Sequence, residues 1–313
     1  MRCKLDKLII SNFYNDTLLG FYFVDDEIEM IYDFTESEVG NIYCGYVKDV
    51  AANLSSVFVE FGDGKKGFLY TNGQYKTGDK VLVEVVCDKK KNKDYLLSTK
   101  LSLNENEQEE VRQKFEHASP KSVLFKKDYM IEVCKEFFDN GIEIIVDDKM
   151  VSQNLEGEKI QNILYNSRNG ISIENTYKLG KIIKDVLSKK VWMKSGAYLV
   201  IEHTETLTTI DVNSGKNVSK TDREENIKNI NFEAAEYIIK HLQLRNISGI
   251  IIVDFINMKK DDYDELFEYM TNLAKTDYVS CNIVEFTKLG LLEITRKKNR
   301  KSIKEILCEV EHD

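Results

Sequence analysis

Short apolar runs separated by polar turns dominate the first third of the chain, and this pattern predicts β-strands. The segment FYFVDDEIEMIYDF places an Asp-Asp turn between two such runs and predicts a hairpin. Four further strands, separated by Gly- and Asp-containing turns, are predicted over IYCGYVKDV, SSVFVEF, KKGFLYT and KVLVEVV. Closely spaced strands of this kind, within residues 36–105, are typical of a small closed barrel of the OB type.

After residue 105 the apolar positions recur at helical spacing and alternate with strand-like runs. Helices are predicted over NEQEEVRQKFEHAS, DYMIEVCKEFFDNG, EKIQNILYN and LGKIIKDVLSKK, with a strand at IEIIVDD. From Val191 onward the pattern predicts the hairpin AYLVIEHTETLTTIDVN, the long helix REENIKNINFEAAEYIIKHLQLRN, the strands GIIIVDF and CNIVEF, the acidic helix DDYDELFEYMTNLAK between them, and a basic C-terminal helix. The mixture predicts an α/β class with three sections.

Composition narrows the possible partners and compartments. The net charge of −9 over 313 residues argues against nucleic-acid binding through bulk charge, although a local basic stripe remains compatible with it. The six cysteines form no CxxC pair, so neither a zinc knuckle nor a redox pair is predicted. Neither a membrane span nor a signal peptide is predicted, and a cytoplasmic location is expected.

Two predicted strands end on an aspartate, Asp211 in LTTIDVN and Asp254 in IIIVDFIN. If these strands are neighbours in an open α/β sheet, the two carboxylates converge where ligands collect, outside the carboxyl ends of the strands. With the amide of Asn213 they would form an all-oxygen site, which suits Mg²⁺ better than zinc. An aspartate at a strand end also commonly caps a turn, and DVNSG fits an Asx-turn, so spacing alone leaves both interpretations open.

The segments IDVNSGK, NFEAA, LRNISGIIIVDFINM and LGLLEITRK resemble, in this order, the catalytic core of the ribonuclease E/G family. NIYCGYVKDVAANLSSVFVEFGDGKKGFL resembles the S1-type RNA-binding module of that family. The resemblance implies an RNase H-like subdomain (1–35 and 106–190), an inserted S1-type OB barrel (36–105) and a DNase I-like catalytic subdomain (191–313). It implies one Mg²⁺ ion held by Asp211 and Asp254, with Asn213 orienting Asp211.

The same resemblance implies an endoribonuclease that cuts single-stranded RNA to 5′-phosphate and 3′-hydroxyl ends. RNA-stacking positions of the barrel fall on Phe58 and Phe68, and a phosphate-contacting position on Lys93. Isolated phenylalanines of a barrel more often fill its core, so that alternative stays open for both. Arg296 and Lys297, followed by Lys298 and Arg300, are candidate phosphate contacts, and a solvated helix face is the alternative.

Several segments depart from the family pattern. LSLNENEQEEVRQKFEHAS replaces the segment that would sense a 5′-monophosphate, and the zinc-linked dimer of the family is not expected. Asn257 stands where the family usually has a second aspartate. One alternative to a nuclease is therefore a catalytically degenerate RNA-binding protein. The acidic helix 261–268 supports a second alternative, a structural partner of RNA-processing factors.

Overall fold

A computed structural model of the chain describes residues 6–13, 17–51, 55–71, 75–89, 93–167, 170–204, 206–215, 223–298 and 300–310. The chain divides into two compact units. One comprises Met1–Thr35 with Met130–Asp313, and the other is the intervening segment Glu36–Tyr129.

The first unit begins with three antiparallel strands. These are β1 (Lys7–Phe13), β2 (Thr17–Val24) and β3 (Glu27–Asp33). The predicted hairpin is confirmed as β2–β3, and its turn uses the left-handed conformations of Asp25 and Asp26. Asp and Asn tolerate this region of φ better than other residues that carry a side chain.

The inserted unit contains the predicted barrel. Its strands are β4 (Ile42–Ala51), β5 (Ser56–Phe61), β6 (Lys65–Tyr70), β7 (Lys80–Cys87) and β8 (Tyr95–Ser98). The order β5-β6-β8-β7-β4 closes because β4 also pairs with β5. Valines and leucines at alternating positions fill the interior, together with Tyr43 and Phe61. The predicted OB-type barrel is confirmed, with β8 as a strand that the pattern did not identify.

The helix after the barrel belongs to the same unit. Helix α1 (Glu105–His117) begins at a capping box formed by Asn104 and Glu107, and β9 (Val123–Phe125) then pairs with β4. Val111 and Leu124 pack with Ile42 and Cys44 in a second small core. Residues 106–129 therefore fold with the barrel. The resemblance to the ribonuclease E/G family had implied that they belong to the RNase H-like subdomain.

The first sheet is completed after this insertion. The elements are α2 (Tyr129–Asp139), β10 (Glu143–Val146), α3 (Lys149–Gly157), β11 (Ile163–Leu164), α4 (Ile173–Tyr177) and α5 (Leu179–Val186). The sheet order is β11-β10-β1-β2-β3, with β10 parallel to β1. The helix predicted over EKIQNILYN is wrong: Asp148 caps an earlier helix, and Lys159 then adopts a left-handed φ of 62°.

A six-stranded sheet forms the last section. Its elements are β12 (Lys190–Trp192), β13 (Tyr198–His203), β14 (Leu207–Asn213), α6 (Arg223–Leu244), β15 (Gly249–Asp254), α7 (Lys260–Ala274), β16 (Cys281–Phe286), β17 (Leu291–Arg296) and α8 (Ile303–Val310). The strand order is β12-β13-β14-β15-β17-β16. The predicted C-terminal helix is present as α8, but most of the basic residues precede it, and LEITR before them is a strand that buries Leu292, Ile294 and Arg296 at alternate positions.

Helices α6 and α7 cover one face of this six-stranded sheet. Residues such as Leu199, Ile210, Ile251 and Val253 pack against them in the largest core of the chain. Because side chains alternate along a strand, the intervening residues lie on the opposite face. In the parts of the chain that the structure describes, no helix has the length and apolar character needed to cross a membrane.

Candidate active site

Asp211 and Asp254 lie side by side on the face of the six-stranded sheet opposite helices α6 and α7. Strands β14 and β15 are parallel neighbours, and their register places Asp211 directly beside Asp254. Neighbouring strands lie about 4.8 Å apart, so the two side chains leave the sheet within reach of one shared ligand. Both aspartates are exposed. The structure therefore brings together two residues that are distant in sequence.

Asn213 fixes the orientation of Asp211. It is the next residue of β14 on the same face, and its Nδ2 donates a hydrogen bond of 2.7 Å to Asp211 Oδ2. This bond occupies one oxygen of the carboxylate and limits its rotation. Among the residues that the structure describes, none donates a hydrogen bond to the other oxygen, Oδ1.

The turn after β14 depends on a glycine. Gly215 has a φ of +66°, and a Cβ atom at this position would overlap the carbonyl oxygen of Gly196. Only glycine allows both this backbone conformation and this close approach. Lys216 and Lys220, the basic residues that follow in the sequence, lie outside the described residues.

A buried asparagine of α6 holds the segment after Asp254. Asn231 is fully buried, and its Nδ2 donates to Ile256 O at 2.7 Å while its Oδ1 accepts from Ile256 N at 3.1 Å. Phe255, between Asp254 and Ile256, is anchored in the core. Asn231 was not predicted as a functional residue, although a polar residue within the apolar stripe of a helix is a signal for such a bond.

The donor set of this site fits a magnesium ion. Two adjacent carboxylates repel each other unless a cation or a proton compensates their charge. Among the residues that the structure describes, neither Asp211 nor Asp254 forms a salt bridge. All the donors are oxygens, and Mg²⁺ is commonly bound through one or two carboxylates while it keeps several waters.

The two phenylalanines of the barrel lie outside its core. Phe58 and Phe68 face each other across β5 and β6, and their ring centroids are 5.5 Å apart. Both are partly exposed, while Val57, Val59 and Leu69 beside them fill the interior. The alternative that these rings fill the barrel is therefore wrong.

Further cations and carboxylates surround this outer face. Lys93 is exposed and precedes β8 by two residues. Glu60, also on β5, accepts hydrogen bonds from Lys121, Tyr46 and Lys48. The bond from Lys121, followed by that from Tyr46, lowers the pKa of the Glu60 carboxyl to about 2.

Arg296 does not lie where RNA could reach it. The side chain is buried, and its guanidinium donates to both carboxylate oxygens of Asp277, at 2.6 and 3.0 Å. Further bonds run to Asn246 Oδ1 and to Ile247 O. Burial opposes the charge, but the bonds to Asp277 outweigh it and raise the pKa of Arg296. Arg296 is therefore a structural residue, and its prediction as an RNA contact is wrong.

The other basic residues near Arg296 differ in whether their charged groups are free to contact RNA phosphates. Lys297 is exposed and keeps its place as a candidate contact. Lys298 Nζ pairs with Glu305 at 2.7 Å, and Arg300 Nη1 donates to Asp33 O at 2.6 Å. The alternative of one solvated helix face is also wrong, because these residues lie between β17 and α8.

Comparison with known proteins identifies the family. Residues 84–299 match the sequence model of the ribonuclease E/G family. The chain is 43% identical to Ribonuclease G of Haemophilus influenzae over 138 residues, which is 44% of this chain and 28% of that protein. It is 32% identical to Ribonuclease E of Nostoc sp. over 218 residues, which is 66% of this chain and 32% of that protein. The matched stretches thus span about three-tenths of these relatives, and the chain belongs to the ribonuclease E/G family.

Proposed function

We propose that this protein is a magnesium-dependent endoribonuclease. It hydrolyses phosphodiester bonds of single-stranded RNA in the cytoplasm and leaves 5′-phosphate and 3′-hydroxyl ends, in RNA processing or turnover. The observation that carries the proposal is the register of β14 and β15, which sets Asp211 beside Asp254 on the sheet face opposite helices α6 and α7. Membership of a family whose relatives are called Ribonuclease G and Ribonuclease E supports the same chemistry.

Each residue of the site has a defined part in this reaction. Asp211 and Asp254 hold the ion, and Asn213 keeps one Asp211 oxygen in place through its 2.7 Å bond. Asn231 fixes the segment after Asp254 and thereby the end of β15. When bound, magnesium polarises the phosphoryl oxygen and lowers the pKa of the attacking water. Because β14 and β15 are rigid elements, the two carboxylates need little rearrangement when substrate arrives.

In this proposal the barrel binds the RNA and contributes no catalytic residue. The exposed portions of Phe58 and Phe68 stack unpaired bases, which any RNA sequence offers. Lys93 contacts a phosphate of the same strand. An RNA held in this way is unpaired, and single-stranded RNA is therefore the expected substrate.

A specific residue favours one alternative function. Asn257 carries no charge where the family usually has an aspartate, and its Oδ1 lies 3.5 Å from the Tyr263 hydroxyl that donates to it. Less negative charge near the carboxylate pair weakens the binding of a divalent cation. A protein that binds RNA without cutting it is therefore the second candidate.

Cleavage assays on three aspartate variants separate the two functions. The Asp211→Asn and Asp254→Asn variants each keep the shape of the side chain and remove one charge. We expect cleavage of a single-stranded RNA oligomer in magnesium to fall about 100-fold or more in each. Asp139→Asn, on the exposed end of α2, is the matched control and should cleave like wild type.

Two further measurements complete this test. Thermal melting and RNA binding of the aspartate variants should stay close to wild type, since both side chains are exposed. Mapping of the product ends should show 5′-phosphates. A wild-type protein that binds the oligomer and leaves it intact in magnesium would favour the second candidate, and full activity of either variant would exclude that aspartate from the site.

A further inference from the structure

An aromatic pair of one exposed and one partly buried ring lies on the same sheet face as the two aspartates. Trp192, the single tryptophan of the chain, is 61% exposed on the edge strand β12. Tyr198 lies opposite it on β13, and the two ring centroids are 5.1 Å apart. Trp and Tyr side chains are enriched at binding surfaces, because each joins a large apolar face to a polar group.

The strand register ties this pair to the aspartates. Trp192 lies beside Tyr198, and Tyr198 lies beside Asn213. At about 4.8 Å per strand, the backbone of Trp192 is roughly 10 Å from that of Asn213 across the sheet. Because paired residues share a face, the two rings and the carboxylates lie on one continuous surface.

A lysine joins the two rings. Lys190 Nζ lies 3.9 Å from the centroid of the Trp192 ring and 3.5 Å from that of Tyr198. In the register Lys190 pairs with Val200, and Val200 pairs with Asp211. The contact with two aromatic faces holds the ammonium group in place and orders the rings. A fixed cation beside the exposed ring of Trp192 is suited to a ligand that carries both an anion and a flat apolar face.

We propose that Trp192, Tyr198 and Lys190 form a subsite for the nucleotide next to the phosphodiester at Asp211 and Asp254. One base stacks on the exposed ring of Trp192, which Tyr198 supports, and Lys190 contacts the phosphate of that nucleotide. The inference rests on the proposed function, since it assigns RNA to this sheet face. It adds a contact within the catalytic section to those of the barrel.

The chemistry of the surface favours RNA over a protein partner. Lys190 supplies a positive charge that a phosphate complements, and the carboxylate pair on the same face fits the ion that accompanies phosphates. Stacking on an aromatic ring is open to every base, which agrees with a cleavage site chosen without base-specific contacts.

The single tryptophan makes the subsite directly observable. Trp192 emission is measured while single-stranded RNA is added to the Asp211→Asn variant, in which the oligomer stays intact. We expect emission to change with the same midpoint as the anisotropy of labelled RNA. When Phe58→Ala and Phe68→Ala are added to this variant, the change in Trp192 emission should still occur, but with its midpoint at a higher RNA concentration. Binding of the labelled RNA without any change in emission would overturn the proposal.

Substitution then tests whether the contact serves cleavage. Trp192→Ala should lower kcat/KM about tenfold, mainly through KM, which is the change expected for loss of one stacked base. Trp192→Phe keeps an aromatic ring on which a base can stack, and its kcat/KM should be close to that of the wild type. Phe138→Ala, a partly exposed aromatic on α2, is the control and should behave like wild type.

These experiments test the subsite and the nuclease function separately. A change in Trp192 emission with no cleavage by the wild type would support the subsite and refute the nuclease. Cleavage with unchanged kinetics in Trp192→Ala would refute the subsite alone. If Trp192→Ala abolishes self-association in sedimentation and leaves RNA binding intact, the surface is a protein contact and the proposal is wrong.

Discussion

The burial of Arg296 gives this charged side chain a structural role rather than a role in binding RNA. Its basic neighbours Lys297 and Lys298 suggest a surface that meets phosphates, yet β17 turns Arg296 toward the interior. There it bridges Asp277 to the segment of Asn246 and Ile247. A guanidinium in this position is stable because Asp277, Asn246 and Ile247 replace the bonds that it loses from water.

Removal of this side chain should therefore affect stability. Arg296→Ala leaves the carboxylate of Asp277 buried without its partner, and we expect the free energy of unfolding to fall by about 3–5 kcal/mol. Lys297→Ala, at the exposed next position, should change it by less than about 0.5 kcal/mol. Urea unfolding of both variants checks the difference. Equal stabilities would show that the Asp277 pair contributes nothing to the fold.

The sequence located the candidate aspartates because each ends an apolar run, and the end of a strand is visible in the pattern of Leu207–Asn213 and Gly249–Asp254. Their adjacency was conditional on the two strands being neighbours, which only the fold supplies. The parts played by Arg296 and Trp192 could not be predicted from the sequence pattern. They depend on which face a side chain takes and on partners distant in sequence.

At the scale of elements, the turn after β14 constrains the site. Gly215 follows Asn213 by two residues, and its backbone passes close to Gly196 in the turn before β13. The hairpin β13–β14 on one side of this turn carries Tyr198 beside Asn213. Displacement of the turn would therefore move Asn213 and, through it, Asp211.

Gly215→Ala should disturb both the fold and the site. Gly141, with a φ of +75° and open space around it, is the matched control for the backbone conformation alone. We expect Gly141→Ala to cost about 1–2 kcal/mol of unfolding free energy. Gly215→Ala should cost at least about 1 kcal/mol more, because the new methyl group also overlaps Gly196. Denaturant unfolding gives both values. Equal losses of unfolding free energy would show that the turn can shift to accommodate the methyl group without destabilising the fold.

Element prediction failed where a local bond outweighed periodicity. The apolar spacing of EKIQNILYN fits a helix, but Asp148 accepts bonds from the amides of Met150 and Val151, so that α3 begins at Lys149, nine residues before the predicted helix. β11 then pairs with β10, so Ile163 and Leu164 extend a sheet. The barrel strands were predictable because each is short, apolar and bounded by its own turn.

At the scale of the whole molecule, the barrel unit is a self-contained insertion. Its two ends meet within the unit, since Ile42 at the start of β4 pairs with Phe125 of β9. It also has two apolar cores of its own. A segment with paired ends and a separate core meets the physical requirements for folding alone.

Residues 36–129 produced alone should therefore fold cooperatively and bind single-stranded RNA without cleaving it. Circular dichroism melting and anisotropy with a labelled oligomer measure the two properties. The same fragment with Phe58→Ala and Phe68→Ala should keep its melting transition and bind RNA about tenfold or more weakly. A fragment without a melting transition would show that the barrel needs the rest of the chain.

The insertion also sets the order in which the chain acquires structure during synthesis. β1 pairs in parallel with β10, although the whole segment Glu36–Tyr129 is translated between them. At 5–20 residues per second, the ribosome needs on the order of 10 s to deliver that partner strand. The barrel, whose strands pair mostly with close neighbours in sequence, can close within this interval. The nascent β1–β3 meander meanwhile exposes an unpaired edge at β1, which makes this stage the one at which chaperones or aggregation act on the chain.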